Sequence, residues 1–141
     1  MNEIRFTVHS LPVAQPRQRH RGFIKNGNVC SMNYTPAKHP VNAFKAAVQL
    51  AAAQAYQGAP LDCPLIMDVT FVFPRRKTTP KRITERQPHI VKPDRENLIK
   101  GLQDAMNGLT YRDDKLIYDG PIRKFYAAID EQPHVEVVIY W

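Results

Sequence analysis

The segment from Leu65 to Phe73 constrains the fold more than any other part of the chain. All of its odd-numbered residues are apolar, whereas Asp68 and Thr70 stand among the even-numbered ones. Because successive side chains of a β-strand point to opposite faces, this alternation predicts a strand with one buried face. Pro74 follows directly and ends the strand, since proline cannot donate a hydrogen bond to a sheet.

Apolar residues at helical spacing predict two helices. The first begins at an N-cap and first-turn pair, Thr35-Pro36, and stops before Gly58. The second runs over about 95–106, with Asp94 placed to cap its N-terminus and Asn107-Gly108 ending it. Both segments therefore have a start and a stop signal as well as an apolar face.

Further strands are predicted around these helices. They are residues 4–8, a hairpin over 23–31 with Asn-Gly at its tip, and residues 122–129 and 134–140. The order strand, hairpin, helix, strand, helix, strand, strand indicates an α+β fold with a mixed or antiparallel sheet and two main helices. We expect residues 1–141 to form a single domain of this kind.

Charge is distributed unevenly along a chain whose formal net charge is +7. No acidic residue occurs between Glu3 and Asp62, and Glu85 is the one acid in the basic segment 75–92. Segment 94–114 instead contains five acidic and three basic residues. A basic protein with a small acidic centre is typical of one that binds a polyanion and also carries out chemistry on it. We therefore consider nucleic-acid binding a better explanation of the charge than an ordinary solvated surface.

The candidate phosphate contacts lie in two basic segments. They are Arg17, Arg19 and Arg21 in the first, and Arg75, Arg76, Lys77, Lys81, Arg82 and Lys92 in the second. The second segment is marked by prolines and lacks periodicity, which predicts a mobile loop.

The sequence contains no feature that predicts a membrane protein or a disulfide-bonded one. No apolar run is long enough to span a bilayer, and no amphipathic basic helix favours its surface. The two cysteines, Cys30 and Cys63, do not form a disulfide framework or a metal cluster. We therefore expect free thiols in a cytoplasmic protein.

The second predicted helix carries a charged stripe opposite an apolar face. Glu96, Lys100 and Asp104 lie on one side at helical spacing, and the apolar residues lie on the other. Each acid has an ordinary structural interpretation. Glu96 and Lys100 form an i,i+4 pair, Asp94 is a helix cap, and the acids after the helix belong to a solvated loop.

Taken together, the acids Asp94, Glu96, Asp104, Asp113 and Asp114 indicate a divalent-metal site. Clustered carboxylates suit Mg²⁺, with Mn²⁺ as the alternative, and no His or Cys group at zinc spacing competes. A metal at a phosphodiester orients water and stabilises charge on the transition state. Lys100, one turn beyond Glu96, is placed to add positive charge at the scissile phosphate.

This segment resembles the RusA family of Holliday junction resolvases. The family pattern is roughly Lys/Arg-x-Asp-x-Asp-Asn-x-x-Lys, then Asp-Ala-Leu/Met-Asn-Gly, then an aromatic residue and Asp-Asp. The chain has KPDRENLIK at 92–100, DAMNG at 104–108 and YRDD at 111–114. The match is dense over about 23 residues and specific as a short motif.

The resemblance implies an endonuclease that binds four-way or branched DNA as a homodimer in recombination and repair. It implies paired Mg²⁺-dependent nicks on strands of like polarity. Carried over by position, Asp94, Glu96 and Asp114 would be catalytic carboxylates that bind the metal, with Asp113 a further, less certain ligand. Lys100 would be the catalytic lysine. A bacterial or phage-encoded protein acting at the nucleoid fits this interpretation.

One residue departs from the family pattern, because Glu96 stands where the family usually has Asp. The added methylene moves the carboxylate by about one bond length, and catalytic geometry often tolerates only about 0.5 Å. We favour retained activity. Two alternatives remain open: a branched-DNA-binding protein whose site has decayed, and a nuclease for other branched DNA such as flaps.

Overall fold

A computed structural model describes residues 1–16, 19–34 and 37–141, without the side chains of 19–21 and 32–34. The helices are α1 (Pro40–Ala55) and α2 (Arg95–Met106). The strands are β1 (Glu3–Val8), β2 (Arg19–Lys25), β3 (Asn28–Tyr34), β4 (Leu65–Phe73), β5 (Gln87–Pro88), β6 (Ile117–Asp119), β7 (Ile122–Tyr126) and β8 (His134–Tyr140). A short 3₁₀ helix, Asp114–Leu116, precedes β6.

The main sheet is mixed and has β4 near its centre. Its strand order is β1-β8-β4-β7-β5, with β6 also pairing with β4. β4 is antiparallel to β8 and parallel to β6 and β7. The fold is therefore α+β with a mixed sheet and two helices, which confirms the predicted class.

The apolar face of β4 lies in the core as its alternation predicts. Leu65, Val69 and Phe71 are completely buried, in one cluster with Phe44 of α1 and Leu102 of α2. Both helices thus cover the same face of the sheet. Burial of each such side chain contributes about 1.5–3 kcal/mol, which makes this two-layer packing the main source of stability.

The first helix begins later than predicted. Pro40 is its first residue, and His39 is the N-cap, whose Nδ1 accepts a hydrogen bond from the backbone N–H of Val41 at 3.1 Å. Proline has no N–H and a helical φ, so it is well suited to the first position. The predicted start pair, Thr35-Pro36, lies outside the described residues.

The N-terminal hairpin confirms the turn prediction and is longer than expected. β2 and β3 pair from Arg19–Tyr34 to Lys25–Asn28, and they form a separate two-stranded sheet. Asn26 and Gly27 both have positive φ, at 52° and 77°, as a two-residue hairpin turn of the I′ type requires. The structure places this hairpin outside the main sheet, which the sequence pattern did not indicate.

Segment 75–92 is attached to the body at several points, unlike the mobile loop expected from its composition. Arg75 donates from Nη2 to the carbonyls of Pro80 and Ile83, at 3.1 and 2.6 Å. Arg86 forms ion pairs with Glu131 and Glu136. Short strand β5 then joins the end of this segment to β7.

Two smaller expectations can be compared directly with the structure. Cys30 and Cys63 are both free thiols. Neither of the described helices is long and apolar enough to cross a membrane.

Candidate functional site

Helix α2 is the element that positions most of the candidate residues. Its boundaries are those predicted, and Leu98, Leu102 and Met106 are completely buried against the core. Their burial fixes the rotation of the helix about its axis. Glu96 and Lys100 are consequently held on the exposed side of the helix.

Asp94 occupies the N-cap position of α2, but its carboxylate does not cap the helix. Its side chain makes no capping hydrogen bond, contrary to the capping role considered from the sequence. Together with Glu96 it lines an open cleft of about 690 Å³, whose other lining residues are Pro88, His89, Ile90, Val91, Lys92, Arg95 and Lys124. Two exposed carboxylates thus share a cleft with the positive end of a helix dipole, where negative charge is stabilised.

Hydrogen bonds from neighbouring elements hold the start of α2 in place. Lys124 of β7 donates from Nζ to the carbonyls of Val91 and Pro93, at 2.8 and 2.7 Å. Arg95 donates to the carbonyl of Ile122 at the start of β7, at 3.1 Å. These bonds fix the backbone on both sides of Asp94. The position of Asp94 is therefore determined by β7, 30 residues further along the chain.

Lys100 pairs with Asp104, which lies one turn later, rather than with Glu96. The distance between its Nζ and the Asp104 carboxylate is 3.7 Å, and the Lys100 side chain is 62% exposed. An exposed i,i+4 pair of this length contributes only about 0.3–0.5 kcal/mol. Lys100 can therefore leave Asp104 for a phosphate at little cost, and Glu96 has no ion-pair partner within the described residues.

The acids after α2 form a second group at the other end of the helix. Asp114 interacts with the side chains of Asp113 and Asn107. Burial and the neighbouring Asp113 raise the pKa of Asp114, with a smaller contribution from Asp104. The backbone N–H of Lys115 lowers the pKa of Asp113, whose Oδ1 accepts its hydrogen bond at 2.9 Å.

Tyr111 anchors this second group beside the C-terminal half of α2. Its side chain is completely buried, and its hydroxyl donates to the carbonyl of Gln103 at 2.9 Å. Its backbone carbonyl accepts from Gly108 at 2.7 Å, closing the turn after the helix. Burial, together with the charges of Asp114 and its acidic neighbours, raises the pKa of Tyr111, so the ring stays neutral.

Within one chain, Asp113 and Asp114 therefore do not join Asp94 and Glu96 in the single metal site that the sequence indicated. Asp94 and Asp104 are separated by ten residues of helix, or about 15 Å at 1.5 Å per residue. In the part of the chain that the structure describes, no three His, Cys, Asp or Glu side chains form a group that could hold a metal ion. The carboxylates instead form two separate groups, Asp94 with Glu96 and Asp114 with its acidic neighbours.

Sequence reasoning did not identify His89 or Lys124 as residues of the cleft. His89 stacks on Phe73 with ring centroids 4.0 Å apart and lies 4.7 Å from the ring of Tyr126. The burial of His89 could not be predicted from a segment without periodicity, because the pairing of β5 with β7 is what brings His89 against the sheet. Lys124 stands in a predicted strand, and its role depends on contacts that are distant in sequence.

The basic residues of segment 75–92 divide into structural and free ones. Arg75 donates hydrogen bonds within the segment, and the residue is only partly exposed. Arg76 lies over the ring of Tyr126, 4.4 Å from its centroid. The remaining candidates are exposed and take part in no ion pair among the described residues: Lys77, Lys81, Arg82 and Lys92.

The first basic segment adds little to this description. Arg17 lies outside the described residues. Arg19 and Arg21 belong to β2, but their side chains are outside the description. Their predicted contacts with DNA phosphates stay predictions.

Comparison with known proteins places the chain in a family. Residues 10–140 match the family described as endodeoxyribonuclease RusA. The chain is also 36% identical over 146 aligned positions to the uncharacterized protein YqaN of Bacillus subtilis (strain 168), covering 99% of this chain and 96% of that protein. Because the family match extends over nearly the whole chain, including both helices and the cleft, the protein belongs to the RusA family of endodeoxyribonucleases.

Proposed function

We propose that this protein is a Mg²⁺-dependent endodeoxyribonuclease that resolves four-way DNA junctions by paired nicks, in recombination and repair. The observation that carries the proposal is the pair of exposed carboxylates, Asp94 and Glu96, at the N-terminus of α2 in a RusA-family chain. The cleft is open to solvent, and three basic residues, Lys92, Arg95 and Lys124, line it together with the two carboxylates. Such an enzyme would act in the cytoplasm of a bacterial cell, at the nucleoid.

The donor chemistry of the cleft fits a divalent cation. Mg²⁺ typically binds one or two carboxylates and completes its coordination with water and substrate phosphate, so a third protein ligand is not required. Among the described residues, neither Asp94 nor Glu96 forms an ion pair that would have to be broken first. When bound, Mg²⁺ lowers the pKa of water and stabilises charge at the phosphate, with Mn²⁺ as the alternative ion.

The protein's own residues bind and orient the DNA. Lys100 stands one turn from Glu96 and is held only by a 3.7 Å pair with Asp104. We assign it the role of a charge at the scissile phosphate, where a preorganised cation is most effective. Lys77, Lys81, Arg82 and Lys92 supply phosphate contacts that position the duplex arms and carry no sequence information.

We assign Asp114, with Asp113 beside it, as a metal ligand in the centre of a second copy of the chain. Within one chain it lies near Asp104, about 15 Å along α2 from Asp94. In a two-fold symmetric dimer, every residue of one copy that contacts the other is matched by the reverse contact. A homodimer that joins the N-terminus of one α2 to the Asp114 group of the other would create two equivalent centres.

The direct test is cleavage of a synthetic four-way junction. Incubation with Mg²⁺ should give paired nicks, and Asp94→Asn should abolish them while leaving the fold intact. Asp130→Asn is the matched control, because Asp130 is an exposed loop residue outside the cleft with a positive φ that Asn also adopts readily. Absence of cleavage by the wild type at all Mg²⁺ and Mn²⁺ concentrations would refute the enzymatic proposal.

Mixed dimers test the second-copy assignment. Asp94→Asn and Asp114→Asn should each be inactive alone. If each centre joins Asp94 of one copy to Asp114 of the other, a dimer of the two variants contains one intact centre and one doubly altered centre. Mixing the variants should then restore single nicks. If both residues serve the same chain's centre, no activity returns.

Two outcomes would favour the alternatives. Salt-sensitive binding of the junction without product, with activity gained in Glu96→Asp, would indicate a DNA-binding protein whose site has decayed. Faster cleavage of a flap than of a four-way junction would indicate a nuclease for other branched DNA.

A further inference from the structure

His89 is the most unusual polar side chain in the cleft. It is only 6% exposed, yet it belongs to the lining of the cleft that holds Asp94 and Glu96. Its ring is stacked on Phe73 and tilted against Tyr126. Its backbone N–H donates to the carbonyl of Lys124 at 3.1 Å, which fixes the residue to β7. The ring is therefore held at a defined position and orientation.

The two ring nitrogens of His89 differ in their surroundings. Nδ1 is fully buried and has no hydrogen-bond partner among the described residues. Nε2 is not among the fully buried, unpartnered side-chain atoms of the described residues, so it is the nitrogen that can contact a molecule in the cleft. Placing the proton on Nδ1 would bury an unsatisfied donor, whereas placing it on Nε2 leaves only an unused acceptor in the interior. Burial thus favours the Nε2–H tautomer.

Charges around the ring favour its neutral form. Burial lowers the pKa of His89, and the positive charge of Lys124 on β7 lowers it further, with a smaller lowering by Arg76 after β4. The backbone of His89 itself opposes this shift without reversing it. Asp94 and Glu96 face the cleft and have the opposite sign, but the effect of burial and the two cations prevails. The ring therefore offers a fixed, uncharged N–H donor.

We propose that His89 is a DNA-contacting residue of this cleft, whose Nε2–H donates a hydrogen bond to a phosphate oxygen of the bound strand. This inference rests on the proposed function for the identity of the ligand. A phosphate oxygen suits the site because cationic Lys92 and Arg95 also line the cleft. An unused donor on a rigid ring loses little conformational freedom on binding, so it positions the strand against the carboxylates.

Nuclear magnetic resonance of the histidine side chains tests the inference without any metal. Protein labelled with ¹⁵N at its five histidines would be observed in EDTA, and His89→Phe would assign the His89 signals. We expect a neutral ring with the proton on Nε2 at pH 6.5. Addition of a synthetic four-way junction should shift its Nε2 and Hε2 signals. An Nδ1–H tautomer, a ring that is charged at this pH, or signals unchanged at saturating DNA would overturn the inference.

Paired variants separate DNA contact from packing. His89→Phe keeps a planar ring between Phe73 and Tyr126 and removes the buried unpartnered nitrogen, so its melting temperature should equal or exceed that of the wild type. Its affinity for the junction in EDTA should nevertheless fall about tenfold, as expected for a lost hydrogen bond to a charged group. His89→Gln retains an N–H donor at similar reach and should stay within about threefold of the wild type. A merely structural histidine would leave the affinity for the junction unchanged in His89→Phe, whatever the melting temperature of the variant.

Failure of the proposed enzyme and failure of this inference can be told apart. If the wild type binds the junction but never cleaves it, the catalytic proposal falls, while the shifts and affinities in EDTA still report on His89. If the wild type cleaves the junction and His89→Phe binds it as tightly as the wild type does, the contact is refuted and the enzymatic proposal stands.

Discussion

Replacement of Arg86 by methionine should destabilise the protein through one ion-pair network. The guanidinium of Arg86 donates to Glu131 at 3.0, 3.2 and 2.7 Å and to Glu136 at 2.9 Å. These bonds attach segment 75–92 to β8 and to the turn before it. His89, three residues further on, is held separately by its own backbone hydrogen bond to β7.

The expected loss is about 2 kcal/mol at neutral pH. Hydrogen bonds to charged groups contribute about 1.5–3 kcal/mol each, and breaking a fully buried pair costs about 3–5 kcal/mol. The side chains here are 24–39% exposed, so solvent screening reduces these figures. Both carboxylates also keep a partner in the variant, because Glu131 accepts from the Ala128 N–H and Glu136 from His134.

Chemical denaturation and thermal melting at pH 7 would measure the loss. For a chain of 141 residues, about 2 kcal/mol corresponds to a fall of roughly 6 °C in Tm. Arg82→Met is the control, since Arg82 is exposed and forms no ion pair among the described residues. It should change stability by less than about 0.5 kcal/mol. An Arg86→Met variant as stable as Arg82→Met would refute the reasoning.

The pH dependence of the Arg86→Met effect provides an independent check. Hydrogen bonds from Arg86 lower the pKa of Glu131 in the folded protein, and those from His134 and Arg86 lower the pKa of Glu136 despite its burial. The stabilisation is therefore fully present above the unfolded pKa, about 4.3–4.5, and is lost as the pH falls through the lower folded values. The difference between wild type and Arg86→Met should persist from pH 7 to pH 5 and shrink below about pH 4.

Three further perturbations have defined outcomes. Gly120→Ala should lower stability by more than about 3 kcal/mol, because its φ is 133° and a Cβ would lie 1.9 Å from a carbonyl oxygen of β4. Gly22→Ala is the control in thermal melts, because a Cβ there would meet no described atom within 4 Å. Tyr111→Phe should cost about 1 kcal/mol in urea unfolding through its lost hydrogen bond to α2, and an unchanged midpoint would contradict that bond. The double variant Lys81→Ala/Arg82→Ala should weaken junction binding and reduce the slope of log affinity against log salt by up to about 2; an unchanged slope would exclude both as phosphate contacts.

Local patterns were sufficient to predict the elements that have strong periodicity. α2 has the predicted range, and β4 has the predicted range and buried face, because in each case the pattern of apolar side chains directly reflects which face is buried. β7 was predicted over 122–129 but ends at Tyr126. The pairing of β7 with β4 ends at Tyr126, and the next residue, Ala127, still donates a backbone hydrogen bond to the carbonyl of Phe73.

Irregular segments were predicted less well because long-range contacts determine their structure. Segment 75–92 has the composition of a free loop, yet Arg75 and Arg86 attach it to itself and to β8. The first helix was expected to start at Thr35, whereas the helix begins at Pro40. In both cases the sequence shows that a regular pattern is missing, but it does not show which residues the polar side chains contact.

The sequence by itself was sufficient to predict the charged helix, the α+β class and the set of acidic residues that match the RusA-family motif. Those features depend on side chains within a few residues of one another, where helical or strand spacing alone decides which face each occupies. Only the tertiary structure decided that Asp94 and Glu96 share a cleft with His89 and that the Asp114 group lies at the other end of α2. The burial of Tyr111 and the hydrogen bonds of Lys124 set those positions, and both are contacts whose partners no local pattern specifies.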